Sequence, residues 1–156
     1  MAQTDSLFVI LLDADDKIGP DYLYTAEKLL WSGCDVANPD AILFGRRQSR
    51  WPVPTRTTLP MLLKRNSVHC AAAFRRSYWV QVGGVDETMD NWSDYDFWIR
   101  LASAGARIRR VAGDHFYYRQ HGPSKSSISN QMRQQLRAAI KSRHQSLYAN
   151  RSQIGT

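Results

Sequence analysis

Only two cysteines occur in the 156 residues, Cys34 and Cys70, and they form no CxxC pair. That excludes the disulfide framework of a small secreted domain. Both lie among apolar neighbours, so both read as buried free thiols. No apolar run approaches the length needed to cross a bilayer. The start is polar, and the first apolar run ends in acids, so no signal peptide is expected. A soluble, cytoplasmic protein follows as the expectation. No internal repeat, low-complexity tract or known nucleic-acid motif is present. Lysine is scarce as well. Arginine supplies 16 of the 21 basic residues behind the net charge of +7. Such a balance favours an anionic partner without choosing among phosphates, nucleic acid and a membrane surface.

The chain is long enough for one domain with a real core. Leu7 to Leu12 is six apolar residues in a row. The run reads as a strand buried on both faces, as in a parallel sheet. Asp13-Ala14-Asp15-Asp16 follows at its carboxyl end, the edge where open α/β sheets bind ligands. Gly19-Pro20-Asp21 opens a helix, with Leu23, Ala26, Leu29 and Leu30 as its apolar stripe and Gly33 as its C-terminal cap. Val36 to Phe44 is strand material broken by Asn38-Pro39. Gly45 to Pro60, with three prolines and four arginines, reads as a long loop. Val68 to Phe74 is a strand candidate. Ser77 to Val82 is a helical turn stopped by Gly83-Gly84. Asp94 to Ser103 has helical spacing, ended by Gly105. Two short strands are expected near Ile108–Val111 and His115–Tyr118. A basic amphipathic helix over 127–150 carries Met132, Leu136, Ile140 and Leu147 on one stripe.

Two carboxylates at i and i+2 past a strand, Asp13 and Asp15, concentrate charge that a cation would relieve. Oxygen ligands suit Mg²⁺ or Mn²⁺ and leave positions open for phosphates. A helix cap or solvated turn uses the same residues. Asp94 reads as a helix-capping carboxylate when taken alone. Arg100 stands at salt-bridge spacing from Asp96.

Five segments in order then resemble family-2, GT-A-fold glycosyltransferases: Leu12 to Asp16, Gly83-Gly84-Val85-Asp86-Glu87, Asp94 to Leu101, Gly105, and Tyr118-Arg119-Gln120-His121 with Ser124 and Ser126. The resemblance covers about residues 7–127. It implies an α/β, partial GT-A fold, a mixed sheet with flanking helices, truncated on its N-terminal side where the nucleotide-binding half would stand. It implies transfer of a sugar, with inversion, from a nucleotide-diphospho-sugar to a hydroxyl of a saccharide or lipid-linked acceptor. By the same resemblance Asp94 is the general base. Asp13 and Asp15, with His121, hold Mn²⁺ or Mg²⁺, and Arg119 and His121 face the donor phosphates. Trp92 is the better acceptor contact, with Trp51 in a loop nearby, and Trp79 and Trp98 go to the core. Arg119 and Lys125 equally suit solvated charges, and His121 a surface loop. One departure is Ser93, where the family usually has Glu before the base.

The missing half leaves three expectations open: an inactive fragment, a subunit completed by another chain, or a homo-oligomer that covers the open sheet edge. A non-catalytic interaction module is thus the alternative to the enzyme. Acids clustered at the ligand edge argue against nucleic acid. The basic last helix suits peripheral contact with the inner face of a membrane or packing on a partner.

Overall fold

The computed structural model describes residues 4–46, 48–89, 91–120 and 130–151. Its strands are β1 (Phe8–Ile10), β2 (Lys17–Ile18), β3 (Val36–Gly45), β4 (Ser49–Trp51), β5 (Arg56–Thr57), β6 (Ala73–Arg75) and β7 (Ile108–Gln120). The helices are α1 (Tyr22–Trp31), α2 (Leu59–Leu62), α3 (Arg76–Val82), α4 (Ser93–Ser103), α5 (Asn130–Arg143) and α6 (Gln145–Arg151). One mixed sheet runs β1-β6-β3-β7-β2, with β4 added to β3 and β5 to β7. Among the described residues only β3 and β7 pair in parallel; the other pairs are antiparallel.

The long central strand β3 contains the Asn38-Pro39 pair that reads as a break. Proline cannot donate to a ladder, so it belongs at a bulge. The register against β7 does shift between Pro39 and Ala41. Side chains occupy the places the ladder vacates. Asn38 donates to the Ser67 carbonyl (2.8 Å) and accepts from the His69 N–H (3.0 Å). Asp40 accepts from the Val53 N–H (2.9 Å) and from Arg110 Nε (2.8 Å). At the start of the strand, Asp35 accepts from the Arg107 N–H (2.9 Å) and pairs with Arg75 and Arg107. Each pair ties β3 to a neighbouring strand.

Several expectations are corrected. The apolar run Leu7–Leu12 is not buried on both faces. It supplies a three-residue edge strand paired, among the described residues, only with β6, with Leu7 62% and Leu12 44% exposed. In α1, Leu23 is exposed and Tyr22 takes the inner position. Tyrosine wins that position because its hydroxyl is fully used: it donates to the Ala71 carbonyl (2.7 Å) and accepts from the Ala73 N–H (3.1 Å). Of Val68 to Phe74, only Ala73 and Phe74 are strand, within β6. The two strands expected after Gly105 are halves of β7. Gly113, at φ +126, lets the backbone turn between them while both halves stay on β3. The expected 127–150 helix is two helices, α5 and α6, parted at His144; residues 127–129 lie outside the described ones. Ile140 is buried, Leu136 and Leu147 half-buried, and Met132 exposed. Among the described residues, no helix is long and apolar enough to cross a membrane.

The main core packs α3 and α4 on β6 and β3. Phe97 and Trp98 each meet Phe74 edge to face at its centre, and Trp79 stacks at its margin. Gly84 (φ +75) leaves room for the Trp79 ring, which an added Cβ would meet at 2.7 Å.

Asp96, fully buried in α4, joins this core to the C-terminal helices. It accepts from Arg100 Nε (2.7 Å) and Arg143 Nε (3.0 Å), and His144 Nε2 lies 2.9 Å away. Burial opposes its charge, but the bonds from His144, Arg100 and Arg143 outweigh burial. They lower the carboxyl from its ordinary 3.8 to about 2. A depressed carboxylate stabilises the fold above its unfolded value and stops doing so as pH falls through the folded one. Asp96→Asn is therefore expected to cost about 2 kcal/mol at pH 7. The gap to wild type should close between pH 4 and pH 2. Urea unfolding of both proteins at pH 7, 4 and 3 measures it, and a gap independent of pH would refute the assignment.

Candidate functional site

Four segments converge on a cavity of about 740 Å³. They are the acidic turn after β1, the stretch 65–70 before β6, the start of α4, and the 51–54 loop, with Phe116 and Tyr118 of β7 behind. The bulge in β3 sets two of these walls. Asn38 carries the 67–69 stretch and Asp40 carries Val53.

Asp13 and Asp94, far apart in sequence, line the same cavity, together with Trp51 and Trp92. Asp94 lies in the first turn of α4 and is half-buried. Its Oδ2 accepts from Asn66 Nδ2 (3.1 Å). Burial pushes its carboxyl upward, with the Asp13 charge adding to it; the Tyr95 N–H and Asn66 pull the other way. Asp94 is not the cap of the helix: Trp92 holds the N-cap position, without a side-chain cap bond, and Asp94 follows within the first turn with its place on the cavity wall. Trp92 holds the left-handed backbone region (φ 61, ψ 21), rare for a large residue, and sets its ring edge-on to Tyr95 at 5.7 Å.

The turn Asp13 to Asp16 closes through the Asp16 N–H to the Asp13 carbonyl (3.1 Å). Asp16, not Asp15, is its buried acid, 8% exposed. The Arg119 N–H donates to Asp16 Oδ1 (2.8 Å), while Oδ2 is buried with no partner among the described residues. Burial raises this carboxyl to about 6, and the charges of Asp15 and Asp13 add to the rise. Arg119 braces the turn: its Nε donates to the Asp15 carbonyl (2.9 Å), and its guanidinium lies 4.5 Å over the Phe44 ring. Neither Asp15 nor Arg119 is part of the cavity wall. His121 lies outside the described residues, as do Ser124, Lys125 and Ser126.

Three wall residues had no site role in the sequence reading. Asn66 holds Asp94. Cys70, expected to be buried, is half-buried, with Sγ 3.9 Å from Asp13 Oδ2. Burial and the charges of Asp13, Asp94 and Asp16 push its thiol far up, so it is no nucleophile. His69 is buried, edge-on to Trp51 (4.7 Å), and burial lowers it to about 4, which keeps the ring neutral. No local signal marks them, because their partners come from distant segments. Cys34 is buried as expected, with Sγ bonded to the Val36 carbonyl (2.9 Å).

No known family matches the chain, and no curated protein matches it in sequence. Solved structures do match in fold. S. aureus TarS 1–349 in complex with UDP-GlcNAc superposes with a TM-score of 0.66 at 18% identity, over 82% of this chain and 39% of that one. The same fragment in complex with UDP gives 0.64 at 18%, over 76% and 37%. S. aureus TarS itself gives 0.63 at 17%, over 76% and 23%. This chain thus spans about two fifths of the TarS fragment. The curled mixed sheet with its flanking helices is a partial GT-A-like fold.

Asp13 is one source of the high Asp94 value, so Asp13→Asn is expected to lower the Asp94 titration toward the ordinary carboxylate range. Carboxyl-detected NMR titration of the two proteins reads this. An unmoved Asp94 would separate the two groups electrostatically.

Proposed function

We propose that this chain forms part of an inverting, family-2-type glycosyltransferase site, with Asp94 as general base and the Asp13–Asp16 turn facing the donor diphosphate. The observation that carries this reading is that Asp94 and Asp13 line one cavity, in a GT-A-like fold. The acceptor hydroxyl gives its proton to an Asp94 carboxylate oxygen. Its oxygen bonds to the anomeric carbon as the bond from that carbon to the diphosphate breaks on the opposite face. A base in a partly desolvated site with a raised pKa is well matched to that proton. Asn66 keeps the carboxylate oriented. Trp92 and Trp51 offer apolar faces to a sugar ring, with Trp92 the nearer to Asp94 in the chain.

The acidic turn fits a divalent cation, since a buried Asp16 oxygen with no donor among the described residues and an exposed Asp13 carboxylate lie together there. Mn²⁺ or Mg²⁺ held by Asp13, with Asp15 and His121 as further ligands by family resemblance, would neutralise the leaving diphosphate. Arg119, fixed behind the turn, adds positive charge near the same phosphates. Arg133, Arg137 and Lys141 are exposed on α5, a face suited to an anionic membrane and a lipid-linked acceptor. The second reading, a non-catalytic module or a subunit of a larger enzyme, draws on the edge of β1. That edge pairs with no second strand among the described residues and would suit a partner chain or a second copy.

Calorimetric titration of UDP and GDP, with and without Mn²⁺, tests the donor site. Metal-dependent binding that disappears in Asp13→Ala supports the enzyme, whereas no binding under any condition favours the non-catalytic reading. In a protein that binds donor, Asp94→Asn should leave nucleotide affinity intact and slow release of nucleotide from a nucleotide-sugar by roughly 10²–10⁴-fold. The wild-type rate should fall with decreasing pH through a limb above the ordinary carboxylate value, because the base works only when ionised and its pKa is raised. Unchanged turnover in the variant would remove Asp94 from that role.

A further inference from the structure

Arg65 stands on the cavity wall, and among the described residues it is the only cationic side chain there. His69, the other basic group of the wall, is kept neutral by burial. The remaining charges are the carboxylates of Asp13 and Asp94. Arg75, Arg107, Arg110, Arg100 and Arg143 each pair with a buried aspartate. Arg65 differs: it is exposed, and its guanidinium makes no ion pair or hydrogen bond among the described residues. Its backbone is nevertheless fixed. The Arg65 N–H donates to the Met61 carbonyl (3.1 Å), which extends the turn of α2 past the buried Leu62 and Leu63. Tyr95 of α4 donates to the Leu62 carbonyl. Asn66, next in the chain, donates to Asp94 Oδ2 (3.1 Å). The turn that carries Arg65 is thus tied twice to the first turn of α4, which carries Asp94. Arg65 therefore belongs to the Asp94 end of the cavity.

We propose that Arg65 selects an acidic acceptor: a saccharide or polyol that carries a phosphate or carboxylate group close to the hydroxyl presented to Asp94. Naming the ligand as acceptor rests on the transferase reading above; the preference of the cavity for an acidic sugar does not. A guanidinium fork meets either oxyanion with two parallel N–H···O bonds. Asp13 and Asp94 alone would repel such a ligand. With Arg65 at one side, the acidic group is drawn to the cation and kept off the carboxylates. The same placement turns a neighbouring hydroxyl toward Asp94. Because the two backbone turns are tied together, the distance from cation to base is set by the fold. That distance reads where the acidic group sits relative to the accepting hydroxyl.

Ligand binding to the full chain, without donor or added metal and at constant ionic strength, tests the assignment. Glucose 6-phosphate and methyl glucuronide are the acidic probes, one for each oxyanion, and methyl glucoside is the neutral control. Each is titrated into protein labelled at its tryptophan indoles. The Trp92 indole N–H signal, assigned through Trp92→Phe, reads occupancy of the cavity. In wild type at least one acidic probe should bind roughly fivefold or more tighter than methyl glucoside, and the tighter of the two names the oxyanion. Arg65→Gln should abolish that preference, and Arg133→Gln, on the exposed face of α5, should keep it. Circular dichroism establishes that each variant is folded. No binding of either acidic probe, or no preference over methyl glucoside, overturns the proposal. So does a preference that survives Arg65→Gln. An equal loss of UDP affinity in Arg65→Gln would assign the residue to the donor phosphates and overturn it as well. UDP binding without an acidic preference would overturn the role of Arg65 alone. Failure of the UDP titration with the preference retained would overturn only the transferase reading.

Discussion

The bulge at Asn38–Asp40 is the constraint on which the rest depends. A strand between two neighbours must normally satisfy its backbone through its ladders. At Pro39 that is impossible, and the strand instead uses the side chains on either side. Asn38 reaches one way, to the backbone of Ser67 and His69, and Asp40 reaches the other, to Val53 and Arg110. The cavity is bounded on these two sides. Three hydrogen bonds to two buried polar residues thus hold these walls in place, in addition to loop packing. Buried amides and carboxylates of this kind tolerate little change, because each lost partner leaves a polar group stranded.

Charge is distributed unevenly around that frame. The chain is strongly basic, yet the cavity brings Asp13 and Asp94 together, with Asp16 just behind. The paired arginines serve elsewhere: Arg75 and Arg107 on Asp35, Arg110 on Asp40, Arg100 and Arg143 on Asp96. Those paired acids are held below the ordinary range, while Asp16 and Asp94 are pushed above it. The contrast separates structural carboxylates from those at the cavity. Raised carboxyls are found where a cation, a proton or a substrate is meant to complete the electrostatics.

Much of this was legible in the sequence where the signal is local. The acidic turn, the Gly83-Gly84 stop, the helix beginning near Asp94 and the Asp96–Arg100 pair all declare themselves within a few residues. What was hidden depends on distant partners. Asn38-Pro39 looks like a break until β7 is beside it to take up the bulge. Asp15 outranked Asp16 because spacing alone cannot say which acid turns inward, and the Arg119 N–H that decides it lies more than a hundred positions away. Cys70 read as core because its neighbours are apolar, although its sulfur faces a carboxylate. Tyr22 displaced Leu23 from the inner face of α1 for a similar reason: its hydroxyl has carbonyl and amide partners on the sheet that periodicity cannot reveal.

Asp94 and Asp96 stand two residues apart on one helical turn and face different tasks. One lines the cavity; the other is clasped by Arg143 and His144 at the junction of α5 and α6. The last helices are therefore mechanically in series with the carboxylate at the cavity. Whatever loosens that clasp, by removing the buried carboxylate or either of its basic partners, would slacken the hold on the last helices and on the turn that carries Asp94 together, since both hang on one buried anchor.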